Sequence, residues 1–95
     1  MNNTFDRFCL VLSQLPKGYV CSYGHLAKLA GLGGPRQSSQ LLKHLPSDST
    51  LPWYRVVNAQ GKLADFVGAD KQRLLLEAEG ITFTSAGYIP RHYFL

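Results

Sequence analysis

Residues able to do covalent or metal chemistry are few and scattered among the 95 positions of this sequence. Cys9 and Cys21 form no Cys-x-x-Cys pair, and His25, His44 and His92 stand apart from them and from each other. A tetrahedral metal site needs several such ligands at short spacing, so the pattern argues against zinc, and neither a metal nor a cofactor is expected. Cys9 falls on an apolar helical stripe and Cys21 alternates with Tyr19 and Tyr23, so both read as reduced, buried, structural thiols. A denser chemistry lies in the middle of the chain. Arg36, Ser39, Gln40 and Lys43 recur at i, i+3, i+4 and i+7 with no acid among them. Cation, small hydroxyl, amide and cation on one helical face suit contacts to phosphate, and a residue as small as Ser39 permits close approach to a groove.

Charge follows the same segment. The net charge is +4. Between Lys17 and Lys62 six cations stand against Asp48 alone, a net of +5, while the rest of the chain carries four cations against five acids, a net of −1. Positive charge gathered around one candidate face suits a polyanion such as DNA; a solvated basic face with no partner is the alternative. The composition, 45% hydrophobic and 17% charged, is that of a globular chain. No apolar run reaches transmembrane length and the N-terminus lacks the pattern of a signal peptide, so a cytoplasmic protein is expected.

The elements that must position these residues are legible from caps and periodicity. Phe5, Phe8, Cys9 and Leu12 predict an amphipathic helix, capped by Asn3 or Thr4 and ended by Pro16-Lys17-Gly18. A short extended piece through Tyr23 follows. Ser22 then caps a helix from Tyr23 to about Ala30, with Leu26, Ala27, Leu29 and Ala30 inward and Gly31 as its stop. After a glycine-rich turn, Pro35 opens another helix whose Ser38, Leu41, Leu42 and Leu45 form a buried face. Two helices joined by such a turn are a helix-turn-helix signature. Arg55-Val56-Val57 and Lys62-Leu63-Ala64 are expected to pair as a hairpin wing around Asn58-Ala59-Gln60-Gly61. Asp70 begins a last helix, with Leu74, Leu75 and Ala78 inward and Gly80 ending it, and the tail aromatics Tyr88, Tyr93 and Phe94 pack back on the body.

The stretch Leu51-Pro52-Trp53-Tyr54-Arg55-Val56-Val57-Asn58 carries the single Trp. Pro52 fixes its own φ and biases Leu51 toward an extended conformation, so the chain enters as a stiff loop. One reading is a loop that plugs the core with Trp53 and exposes Arg55. The stretch also resembles the active-site motif Pro-Cys-His-Arg-Val of the O6-alkylguanine-DNA alkyltransferases, with Trp53 at the cysteine and Tyr54 at the histidine. Tryptophan at that position is typical of their non-enzymatic relatives, the alkyltransferase-like proteins. The resemblance continues through Val20-Cys21-Ser22-Tyr23-Gly24, Arg36-Gln37-Ser38-Ser39-Gln40-Leu41-Leu42, Asn58-Ala59-Gln60-Gly61 and Leu76-Glu77-Ala78-Glu79-Gly80, in the family's order and over nearly the whole chain.

The resemblance implies one α+β domain over residues 1–95, winged-helix-like, similar to the C-terminal DNA-binding domain of the alkyltransferases. It implies a DNA face of Tyr23, Arg36, Gln37, Ser39, Gln40 and Lys43, docked in the minor groove with Arg36 as the finger that fills the stack. It implies a lesion pocket of Tyr23, Trp53, Tyr54, Arg55 and Val56. The expected function is recognition of O6-alkylguanine in double-stranded DNA, with the lesion flipped but not repaired and the site marked for nucleotide excision repair proteins by a monomer. Glu79 matches a family glutamate and reads as structural. Tyr54 departs from the histidine those relatives keep, and Phe66 stands near where they present an arginine. Two other readings are a helix-turn-helix transcriptional regulator, which accounts for the helices and the charge but not for Tyr23 and Trp53, and a transferase working through another residue.

Overall fold

Caps set the helices of the computed structural model, which describes residues 3–46, 48–63 and 69–95. Helix α1 spans Thr4–Ser13, and the Asn3 side chain accepts the Asp6 N–H at 2.7 Å. That bond satisfies one of the N–H groups that a helix start leaves without an intrahelical partner. Helix α2 spans Tyr23–Ala30, with the Ser22 hydroxyl accepting the His25 N–H at 3.1 Å. It ends on Gly31, whose φ of 73° lies in the left-handed region that a side chain would strain. The Leu32 N–H then returns to the Ala27 carbonyl at 2.8 Å, and Pro35 opens helix α3, Pro35–Leu42. The α2–α3 pair is the expected helix-turn-helix. Helix α4 spans Ala69–Ala78.

Two clusters share the interior. Phe8, Leu12, Leu15, Cys21, Leu26, Ala30 and Val56 make one, and Leu41, Leu42 and Leu45 of the α3 region pack against it. Val20, Val57, Leu76, Ile81 and Ile89 make the other, covered by Tyr93 and Phe94. Strand β1, Cys21–Ser22, pairs in parallel with strand β2, Val56–Val57, in the register Cys21↔Val56 and Ser22↔Val57. Val56 of β2 feeds the first cluster and Val57 the second. On the other side Cys21 of β1 joins the first, while Val20, just before the strand, joins the second. Val20 and Cys21 are therefore both buried, where alternation predicts one inside and one outside. Burial pushes the Cys21 thiol up to about 11, and Cys9, only half-buried rather than buried, is also raised, by burial and then by Asp6.

The expected hairpin wing does not form among the described residues. Val56–Val57 is taken by β1, and Lys62 bridges Tyr88 of the tail instead. Asn58 turns the chain by accepting the N–H groups of Gln60 and Lys62 on its side-chain oxygen. Gly61 then meets the tail so closely that a Cβ there would lie 2.7 Å from the Ile89 carbonyl oxygen. The Ile89 N–H bonds the Gly61 carbonyl at 2.8 Å, so the C-terminal segment claims the edge the wing would have used. Ala64 and Phe66 lie outside the described residues.

Two helix faces are also corrected. Leu29 is 51% and Leu74 66% exposed, and Ala78 is exposed too, while Gln72 and Leu76 turn inward from α4. On α4 the inward positions are set by two carbonyls that need the Gln72 amide, a demand the apolar period does not report. Tyr88 remains 40% exposed, although Tyr93 and Phe94 pack on the body as expected. Among the described residues no helix is long and apolar enough to cross a membrane.

Candidate nucleic-acid interface

A cleft of about 550 Å³ opens between α3 and α4. Its floor is Trp53, from a 3-10 turn over Trp53–Arg55, together with Val56 of β2. Tyr23, the first residue of α2, stands at its edge, while Ser39, Leu42 and Lys43 form the α3 wall and Lys71 and Gln72 the α4 wall. The tyrosine is placed by an interhelical tie. Ser38 is fully buried and its hydroxyl donates to the Tyr23 carbonyl at 3.0 Å, which fixes the start of α2 against the middle of α3. Burial raises the Tyr23 hydroxyl above its ordinary value of 10.0, so it stays a neutral donor at physiological pH.

The polar stripe of α3 is where periodicity places it. Arg36, Gln40 and Lys43 are exposed and Ser39 is half-buried beside the cleft. Among the described residues Arg36 and Lys43 form no ion pair, and none of the residues lining the cleft is acidic. Gln37 is spent partly on the fold, because its side-chain oxygen accepts the Gly33 N–H in the turn before α3.

Tyr54 and Arg55, expected in the same pocket as Trp53, do not line the cleft. The 3-10 turn sends them to the other side. The Arg55 guanidinium grips Glu79 through Nε at 3.0 Å and Nη2 at 2.6 Å, and its Nη1 donates to the Leu15 carbonyl at 2.7 Å. The Tyr54 hydroxyl donates to the same carboxylate at 2.9 Å, and the Gly18 N–H does so at 3.0 Å. The Arg55 and Glu79 side chains are only 13% and 7% exposed. Burial raises the Glu79 carboxyl, but hydrogen bonds from Arg55, Gly18 and Tyr54 outweigh it and hold it below its ordinary value of 4.5. Burial and the bond to Glu79 raise Tyr54, so its hydroxyl is a poor base and is already engaged. The glutamate is structural here, as its expected role has it.

Sequence reasoning missed the α4 wall. Gln72 is 4% exposed, and its amide nitrogen donates to the carbonyls of Tyr54 at 3.0 Å and Val56 at 3.1 Å. It thereby pins α4 to the turn that carries Trp53. The available signal was Gln72 four residues before Leu76, a polar residue on a buried helical stripe. Among the described residues no group of His, Cys, Asp and Glu is arranged to hold a metal ion, and neither cysteine lines the cleft.

Known proteins share this sequence pattern and fold. Residues 3–81 match the family described as the DNA-binding domain of 6-O-methylguanine DNA methyltransferase. A DNA base-flipping protein of Vibrio parahaemolyticus is 46% identical over 81 residues, covering 83% of this chain and 81% of that protein. Alkyltransferase-like protein 1 of Schizosaccharomyces pombe is 33% identical over 81 residues, covering 81% and 71%. The crystal structure of S. pombe Atl1 bound to damaged DNA containing O6-carboxymethylguanine superposes with a TM-score of 0.84 at 28% identity, over 100% of this chain and 98% of that one. With the helix-turn-helix, the basic α3 face and the Trp53-floored cleft in place, the chain belongs to the family of 6-O-methylguanine DNA methyltransferase DNA-binding domains and resembles its alkyltransferase-like, non-enzymatic branch.

Proposed function

We propose that the protein binds duplex DNA containing O6-alkylguanine, flips the damaged nucleotide into the cleft between α3 and α4, and leaves the alkyl group in place. The observation that carries this reading is the cleft itself, floored by Trp53 and opening beside a cationic helix. Arg36, Gln40 and Lys43 approach the phosphates, and half-buried Ser39 lets α3 come close to the minor groove. Arg36, exposed in the first turn of α3, enters the gap in the stack. Extruding a base costs a few kcal/mol, less where a lesion has already weakened pairing, and a planar guanidinium offsets part of that cost. Tyr23 meets the rotated nucleotide at the edge, and Trp53 gives the alkyl group an apolar surface.

Transfer needs a thiolate beside a base. Trp53 stands where the alkyltransferases have cysteine, its indole has no lone pair to accept an alkyl group, and Tyr54 donates to Glu79 in place of an activating histidine. The same reading makes the protein a cytoplasmic monomer that marks the lesion for nucleotide excision repair. The test compares binding to duplexes with and without one O6-methylguanine, the alkyl group being radiolabelled. Preferential binding with no label on the protein is expected; equal affinity for the two duplexes, or label on the protein, overturns the reading.

A further inference from the structure

The cleft has one feature that recognition of a small neutral alkyl group does not use. Lys71 lines it from α4, while the phosphate-facing residues sit on α3. Lys71 is exposed, but its place on α4 is fixed by its neighbour. The next residue, Gln72, is buried and bonded to the carbonyls on either side of Arg55, so the first turn of α4 is held against the turn that carries Trp53. Arg55 is itself locked to Glu79, which makes the platform rigid. The result is an apolar floor with a cation on its α4 side, Lys43 on the α3 side and, among the described residues, no acid lining the space between. The volume of about 550 Å³ lies within the range of small-molecule sites, large enough for a base with an extended substituent.

We propose that Lys71 is a specificity-determining residue that makes the cleft favour guanines whose O6 substituent ends in an anion, a carboxyalkyl group being the simplest. The methylene next to O6 packs on Trp53 and the carboxylate reaches the Lys71 ammonium, in a cleft where water competes less than on an open surface. The inference rests on the reading of this cleft as the receptor for an extruded base. It adds to that reading a substrate class and a residue on the wall opposite the recognition helix.

Otherwise identical duplexes carrying guanine, O6-isobutylguanine or O6-carboxymethylguanine separate the two ideas. Isobutyl has the branching of carboxymethyl without its charge. Binding of each is measured by fluorescence anisotropy for wild type, Lys71→Met and Lys43→Met, with folding checked by circular dichroism; both lysines are exposed, so the variants keep the core. Wild type should prefer carboxymethyl over isobutyl by about fivefold, the size of one partly exposed charge pair. Lys71→Met should bring that ratio to about one, whereas Lys43→Met should weaken all duplexes together and preserve it. A wild-type ratio of one, or a Lys71→Met loss common to all three duplexes, overturns the proposal and makes Lys71 a phosphate contact. Failure of both lesion duplexes to bind better than guanine would instead bring down the base-receptor reading on which it rests.

Discussion

Trp53 and its neighbours Tyr54 and Arg55 share one 3-10 turn and lead opposite lives. On one side the cleft gathers cations from α3 and α4 around an apolar floor, with no acid among the described residues that line it. On the other, Arg55, Glu79, Tyr54, Gly18 and Leu15 saturate one another, and every charge in the group is paired and nearly dry. A buried ion pair contributes little beyond a well-packed apolar equivalent, but breaking it leaves a charge without solvent or partner. A cleft whose cations form no ion pair among the described residues does the reverse: it costs the fold some repulsion and keeps its attraction for an outside anion. The turn therefore divides labour at single-residue resolution, with position 53 facing the cleft and positions 54 and 55 holding the scaffold.

The sharpest break in this division is Glu79→Gln. It should cost about 3–5 kcal/mol, the usual price of an orphaned buried charge, and is read by urea denaturation. The pH dependence has a definite sign. Because Glu79 is held below its ordinary value of 4.5, its stabilisation is complete above that value and is lost as pH falls through the lower folded value. Wild type should lose stability steeply on acidification over that window, and Glu79→Gln should show a shallower acid limb. An equally steep limb in the variant would place the acid sensitivity elsewhere.

On the cleft side, Arg36→Ala should leave the fold intact and remove the filler of the stack, a loss of about a few kcal/mol in lesion binding. A fluorescent base analogue at the target position should brighten with wild type and stay quenched with the variant. Equal signals from two folded proteins would show that Arg36 is not the finger. Lys43→Ala should weaken damaged and undamaged duplexes by the same factor and reduce the salt slope by about one; a loss confined to the damaged duplex would move Lys43 from the phosphates into the pocket.

Smaller effects test the boundary between the two sides. Tyr54→Phe removes one of the bonds to Glu79 and should cost about 1 kcal/mol of stability, with Arg55 still in place. Lesion affinity should change little, because Tyr54 does not line the cleft. Trp53→Cys should produce no efficient alkyl transfer, since Tyr54 leaves the new thiol without its base. Rapid demethylation by that single variant would show that the histidine of the alkyltransferases is dispensable here.

Local rules were enough for the recognition half of the molecule. Asn3, Ser22, Gly31 and Pro35 mark the ends of α1, α2 and α3 because each cap or stop acts within a few residues of itself. The period of α3 likewise separates buried Ser38 from exposed Arg36, Gln40 and Lys43, and the order of motifs around Trp53 carries the family. Tertiary structure alone decided the rest. The wing yielded to a parallel β1–β2 pair and a tail bridge because backbone groups 26 or more residues away offered better partners. Tyr54 and Arg55 left the pocket because Glu79, 24 and 25 residues on, comes within bonding distance only after α4 has docked. Leu74 faces solvent and Gln72 the core because the carbonyls of Tyr54 and Val56 must be satisfied where α4 lands. Lys71 enters the cleft for the same reason. A cap is set by its own neighbours in the chain, whereas a pocket wall is set by which distant polar groups have to be paired before water is excluded.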